Sequence, residues 1–165
     1  MTLATATDDP AISALFDRLG LAPQRIEHPP VHTVEEALPH WGNLAGEGTK
    51  NLFLKDGPRL FLVMLRSETR VDMKALAPML GAKRLSFASP ERLMEHLGTA
   101  PGAVGFLSLV KDEARVVRFA IERSLWDAER VTSHPLRNTA TVSLTQAEFR
   151  GVLADLGVEP MLLDL

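Results

Sequence analysis

The sequence predicts an α/β (α+β) fold, a compact mixed β-sheet flanked by helices. Three observations lead there. Apolar runs of strand length recur, among them Leu60 to Leu65, which is unbroken. Amphipathic segments with cap residues at their starts and glycine at their ends alternate with those runs. The two kinds of segment are interspersed irregularly, which argues against a regular βαβ repeat. At 165 residues the chain fits one domain, 1–165, with residues 1–27 supplying an N-terminal helix and strand.

The elements follow in order. Asp9-Pro10 before Ile12, Leu15, Phe16 and Leu19 marks a capped helix that Gly20 ends. Gln24 to Glu27 reads as a short strand, which His28-Pro29-Pro30 interrupts. Val34 to Leu38 reads as a brief helix, and Gly42 to Gly48 as a flexible loop. Thr49 to Asp56 is a strand with apolar groups on both faces, so it belongs at the centre of the sheet. The turn Asp56-Gly57-Pro58 joins it to Leu60–Leu65 as an antiparallel neighbour.

Asp72 caps a helix reaching about Leu80, closed by Gly81, and Leu85 to Ala88 suggests another strand. Ser89-Pro90-Glu91 opens a helix that ends at Gly98. Phe106–Val110 and Val116–Ile121 resemble a hairpin around Lys111-Asp112-Glu113. Ala140 to Ser143 is a strand candidate. Thr145 opens a helix to Leu156, with Glu148 completing a capping box and Gly157 closing it; Met161 to Leu163 adds a last strand.

Composition narrows the chemistry. The chain has no cysteine, so it offers no disulfide, thiolate nucleophile or cysteine-bound metal, in keeping with a reducing cytoplasm. The first residues carry no basic stretch ahead of a long apolar run, and no signal peptide is expected. No apolar run approaches the roughly 20 residues that cross a bilayer. A cytoplasmic protein without a membrane partner is the expectation. The net charge of −3 speaks against gripping many phosphates along a duplex, but leaves local contact with one nucleic-acid end open.

Several catalytic plans lack their motifs. There is no Gly-x-Ser-x-Gly elbow, no Walker loop, and no strand followed by Gly-x-Gly-x-x-Gly. His28 and His32 straddle two prolines, and the five histidines offer no helical ligand pair, so no metal and no cofactor are expected. His40 and His96 read as surface histidines, and Trp41 and Trp126 as packing residues.

Three features remain as site candidates. Lys50 shares a strand face with Leu52 and Leu54, Asn51 the other with Phe53. An ammonium on such a strand either projects into a cleft, where a phosphate or carbonyl would partner it, or snorkels into water. Gly98-Thr99-Ala100-Pro101-Gly102 has the freedom to bring backbone N–H groups to a carbonyl, and is equally a helix C-cap and turn. His134, in Ser133-His134-Pro135-Leu136-Arg137-Asn138-Thr139, is either an acid–base group or a turn-stiffening ring.

Taken together, the Thr49–Asp56 block, Arg84-Leu85-Ser86-Phe87-Ala88, the Gly98–Gly102 loop and His134-Pro135-Leu136 followed by Asn138 resemble the YbaK/prolyl-tRNA synthetase-associated editing family. Order and spacing are most similar to its free-standing alanyl-tRNA(Pro) deacylase branch, over about His28 to Leu165. The resemblance implies a mixed-sheet editing domain that hydrolyses the ester of mischarged tRNA(Pro), chiefly Ala-tRNA(Pro). It implies that Lys50 is the essential lysine and that Gly98–Gly102 is the substrate loop. It further implies that Asn51 and His134 line or support the site, and that the terminal ribose hydroxyl helps activate water. Other readings are a deacylase for 2-aminobutyryl, seryl or threonyl esters, or a non-catalytic module that binds tRNA or a synthetase.

The implied partners are a tRNA acceptor end carrying a small amino acid, helped by Lys83 and Arg84, together with prolyl-tRNA synthetase and elongation factor. One departure stands out. Leu107 occupies a position where relatives carry a small glycine, which bears on the shape of the pocket.

Overall fold

The computed structural model describes residues 8–41 and 44–165. Among the described residues eight strands divide into two sheets, five-stranded in the order β4-β2-β3-β5-β8 and three-stranded in the order β1-β7-β6. The mixed α/β class is therefore what the structure shows, with the strands shared between two sheets.

The β2 (Thr49–Asp56) and β3 (Arg59–Arg66) strands form the expected antiparallel pair, Lys50 opposite Leu65 and Leu54 opposite Phe61. Beyond β3 the sheet becomes parallel: β3 pairs with β5 (Val117–Glu122), and β5 with β8 (Met161–Leu163). The two-residue β4 (Ser86–Phe87) closes the other edge against β2. In the smaller sheet β7 (Ala140–Thr145) lies between β1 (Gln24–Glu27) and β6 (Arg130–Ser133), all antiparallel.

Helix starts follow their cap chemistry. Asp9 accepts from Ala11 N at α1 (Pro10–Leu19), Asp72 from Lys74 N at α3 (Met73–Met79), and Ser89 from Arg92 N at α4 (Pro90–Leu97). Thr145 and Glu148 form the reciprocal capping box of α6 (Gln146–Leu156). The helix read from Val34 runs on as α2 (Val34–Trp41), past Pro39. A short α5 (Arg123–Trp126) and strand β6 were not foreseen. Among the described residues no helix is long and apolar enough to cross a membrane.

The expected hairpin of Phe106–Val110 with Val116–Ile121 does not form. Phe106–Lys111 is a 3₁₀ helix, and Phe106, Leu107, Ser108 and Leu109 are all buried. A short apolar run buried on every side fits a helical turn as well as a strand, and here local bonds decide. Gly105 N donates to Ser108 Oγ at 3.2 Å, and the Asp112 carboxylate then accepts from Val116 N and Val117 N at 3.1 and 2.9 Å. That anchor turns the chain into β5 as a parallel strand.

The five-stranded sheet is apolar on both faces, as the β2 and β3 sequences required. One face, with Phe53, Leu62 and Met64, joins the main core with Ile12, Phe106, Phe119 and Phe149. The other, with Leu54, Phe61, Val63 and Leu65, packs on Leu76 and Leu80 at α3. Trp126 packs edge-on against Phe149, in the packing role read for it, while the Trp41 side chain lies outside what the structure describes.

The loop before β2 ties the two sheets together. Gly42 and Asn43 lie outside the described residues, but Leu44 to Gly48 is docked rather than free. Glu47 N donates to Arg130 O at 3.1 Å, Thr132 Oγ1 donates to Glu47 O at 2.9 Å, and Thr49 Oγ1 donates to Thr132 O at 2.9 Å. The start of β2 and the end of β6 are held side by side in consequence.

Candidate functional site

At that junction the fold leaves a cavity of about 170 Å³. Three groups of residues line it: Thr49, Lys50 and Asn51 from β2; Thr132, Ser133, His134 and Thr141 from the smaller sheet; and Val31, His32, Thr33 and Ala37 with Gly102 and Val104 from the segments between. The lining residues thus bring hydroxyl-, amide-, imidazole- and ammonium-bearing side chains together with a few small apolar ones.

Lys50 and Asn51 are successive strand residues and point to opposite faces of the sheet. Lys50 is half-buried, and its ammonium donates to the Thr69 carbonyl, leaving two N–H groups for another acceptor. The Asn51 amide oxygen is buried and, among the described residues, has no hydrogen-bond donor. A buried acceptor left without a donor costs about 1–3 kcal/mol, so such an atom usually has a purpose.

His134 donates from Nδ1 to Ala140 O at 2.7 Å, since a carbonyl only accepts. Its Nε2 is then the nitrogen left as an acceptor. Burial holds its pKa below the usual histidine value, with the Ala140 bond opposing and the adjacent His28 adding to the lowering. His134 is accordingly neutral at pH 7. His28 is buried, donates from Nδ1 to Pro29 O at 2.9 Å, and accepts at Nε2 from Thr141 Oγ1 at 2.8 Å. His40, read as a surface histidine, is half-buried and stacks on the His28 ring with centroids 5.4 Å apart.

Of the five-residue glycine–proline loop, only Gly102 reaches the cavity wall. Gly98 is the left-handed C-cap of α4 with φ 64°, and Thr99 is buried with its hydroxyl donating to Leu136 O at 3.4 Å. Ala100 and Pro101 are exposed in a turn closed by Ala103 N on Ala100 O at 3.1 Å. That turn delivers Gly102, whose φ of 93° is strained for any residue with a Cβ and favours glycine. Gly105 is a second close approach: a Cβ there would lie 2.3 Å from Ser133 Oγ.

The wall residues His32, Thr132, Ser133 and Thr141 carry no signal of their own in the sequence. Thr132 and Ser133 belong to the unforeseen β6, and His32 follows the double proline. Leu107 is fully buried in the main core and is not among the cavity-lining residues. Among the described residues, no group of three or more His, Cys, Asp or Glu side chains is placed to hold a metal ion.

The comparison with known proteins agrees with this architecture. The profile of the aminoacyl-tRNA editing domain matches residues 28–152, a stretch that contains every residue of the cavity wall. The chain belongs to the aminoacyl-tRNA editing domain family. It is 38% identical over 155 residues to a Danio rerio protein named prolyl-tRNA synthetase associated domain-containing protein 1, covering 92% of this chain and 84% of the relative. It is 33% identical over 145 residues to the prolyl-tRNA editing protein ProX of Acetoanaerobium sticklandii, covering 87% of this chain and 88% of that one.

A solved structure described provisionally as a trans-editing enzyme for prolyl tRNA synthetase superposes on this editing domain with a TM-score of 0.69. It is 20% identical, and the match covers 96% of this chain and 98% of the other, a likeness of fold.

Proposed function

We propose that this editing domain hydrolyses the ester of mischarged aminoacyl-tRNA in trans, with Ala-tRNA(Pro) as its substrate. The observation that carries the reading is the gathering, in a member of the editing family, of Lys50, the donorless Asn51 amide oxygen and the neutral His134 around one small cavity. An aminoacyl ester is already activated, so positioning and charge stabilisation suffice where no nucleophilic triad exists.

In this reading the two uncommitted N–H groups of Lys50 hold the terminal phosphate or the ester carbonyl oxygen. Asn51 Oδ1 accepts from the substrate, whose ammonium and ribose hydroxyls are donors of the missing kind. Water adds to the ester carbonyl, and the bond to the ribose oxygen breaks. His134 Nε2 or the neighbouring ribose hydroxyl takes the proton of the water and returns one to the departing ribose oxygen. The products are free alanine and uncharged tRNA.

A cavity of about 170 Å³ suits a short acyl group. Rejecting the larger proline by shape here complements the synthetase, whose own pocket gains only roughly 1–3 kcal/mol per methylene and therefore admits alanine. The acceptor end of tRNA is the partner, and capture of released mischarged tRNA places the protein beside prolyl-tRNA synthetase and elongation factor in the cytoplasm.

Deacylation of a panel of alanyl-, 2-aminobutyryl-, seryl-, threonyl- and prolyl-tRNAs tests the reading. The expected outcome is turnover of Ala-tRNA(Pro) and none of Pro-tRNA(Pro). Lys50→Ala is expected to lower kcat/KM on the order of 10²–10³-fold, the range for removing a charge-stabilising donor, with an unchanged melting temperature. A folded Lys50→Ala protein with the wild-type rate would overturn the assignment. Binding without turnover by the wild type would make the protein a non-catalytic module.

A further inference from the structure

Lys50 is not held by the cavity. Its ammonium donates to the carbonyl of Thr69, a residue on the other side of the β2–β3 pair, after the end of β3. The position of that carbonyl therefore decides where the ammonium sits, and the structure fixes it from three directions. The turn is closed on itself by Thr69 N on Arg66 O at 3.1 Å. Its second residue is fastened to the entry of β2 by Ser67 N on Gly48 O at 2.9 Å.

The third fastening is unusual. The Thr69 hydroxyl lies 2.8 and 3.1 Å from the two carboxylate oxygens of Glu122, and Arg66 N donates to Glu122 Oε2 at 3.0 Å. Glu122 is only 8% exposed, and no cation pairs with it among the described residues. The nearby Arg66 guanidinium goes instead to Ser124 and Glu47.

A buried carboxylate is costly to desolvate, and replacing buried charge with well-packed apolar residues is often neutral or stabilising. Glu122 ends β5, beside Leu163 of β8, where an apolar residue would continue the buried Ala120–Ile121 pattern. What Glu122 supplies, and an apolar residue would not, is an acceptor that fixes the β3 exit and the Thr69 peptide together. The chain Glu122, Thr69, Lys50 then runs from the end of β5 to the cavity wall.

We propose that Glu122, acting through Thr69, is a positioning residue that sets the Lys50 ammonium at the cavity. Lys50 touches substrate in the proposed reaction; Thr69 and Glu122 act through it. The inference rests on the role given to Lys50 under the proposed function, and its test is arranged so that the two fail separately.

Two near-isosteric variants serve, Thr69→Val and Glu122→Gln, with Thr69→Ser as the conservative rescue. Each is assayed for Ala-tRNA(Pro) deacylation and, independently of tRNA, for competitive acetylation of Lys50 by trace acetic anhydride, read by mass spectrometry against the exposed Lys74 of the same molecule. With the Thr69 carbonyl unfastened, kcat falls roughly ten- to a hundredfold, the scale of a misplacement of about 1 Å, while KM changes by less than about twofold. The Lys50-to-Lys74 labelling ratio rises several-fold, and Thr69→Ser restores both readouts.

Folded Thr69→Val and Glu122→Gln proteins with wild-type kcat and wild-type labelling ratio overturn the proposal. A fall in melting temperature with an unchanged labelling ratio also overturns it, because that is a purely structural role. A wild type inactive on every aminoacyl-tRNA removes the proposed function, and the labelling ratio alone then decides whether Glu122 and Thr69 position Lys50.

Discussion

Two of the buried polar clusters among the described residues are built on opposite plans. At the entry to β5, Asp112 is buried and spends its carboxylate on Val116 N and Val117 N, while Arg115 donates to the carbonyls of Leu109, Asp112 and Leu156. The named groups pair with one another across the ends of the 3₁₀ helix and α6, and no cavity adjoins them in the wall described above. Around the cavity the bonds stop short. Asn51 Oδ1 has no donor among the described residues, His134 uses one nitrogen, and Lys50 one N–H of three. The contrast separates polar groups that stabilise the chain from polar groups that await a ligand.

The sharpest break of that comparison is Asn51→Leu. At a structural position, removing a buried amide loses hydrogen bonds and stability. Here an apolar group of similar shape replaces an atom whose burial is uncompensated, which is neutral or stabilising. The expected outcome is a melting temperature equal to or above wild type, with deacylation reduced on the order of a hundredfold. Parallel thermal denaturation and deacylation assays give both numbers. A clear loss of stability would place Asn51 with the structural cluster.

Asp112→Ala is the mirror experiment. It strands two amide donors at the start of β5 and is expected to destabilise by about 2–3 kcal/mol, measured by urea titration. Deacylation by the protein that remains folded is expected to match wild type. If activity falls further than the folded fraction does, the two clusters are coupled and the separation fails.

Much of this architecture could be read from the chain because it is written locally. Asp9-Pro10, Ser89-Pro90 and the Thr145/Glu148 pair mark helix starts through short-range hydrogen bonds that the structure reproduces. The β2–β3 hairpin is specified by its two apolar runs of strand length and by the Asp56-Gly57 turn between them. What was illegible depends on distant partners. The apolar pattern of Phe106–Lys111 suits a strand as well as a helical turn; its 3₁₀ form rests on burial of Phe106 and Leu107 in the main core together with the Gly105–Ser108 bond and the Asp112 anchor ahead of β5. Strand β6, Arg-Val-Thr-Ser, is too short to announce itself and exists because β7 and Glu47 pair with it.

The site divides the same way. Lys50 and Asn51 stood out because polar side chains broke an apolar strand, and His134 and Gly102 because they sat in turn-like blocks. Thr132 and Thr141 reach the wall only through sheet pairing. Thr69 and Glu122, more than 50 residues apart, meet only in the folded chain.

The smallest expected effect is on pH dependence, and it tests whether His134 belongs with the unfinished cluster. Burial first, then the neighbouring His28, hold the His134 pKa below its ordinary 6.5. Between that lowered value and 6.5 the unfolded chain binds a proton that the native ring does not. Native stability is therefore complete above pH 6.5 and declines as the pH falls through this window.

If Nε2 takes a proton in the reaction, kcat/KM should follow the neutral ring. The rate is then flat above pH 6.5, and its acid limb lies below that value. An NMR titration of the His134 ring beside the pH–rate profile makes the comparison. Coincident midpoints, both below 6.5, assign the limb to His134. A limb centred above 6.5, with the ring titrating below it, would return His134 to a structural part, bonded to Ala140 O like any turn-stiffening histidine.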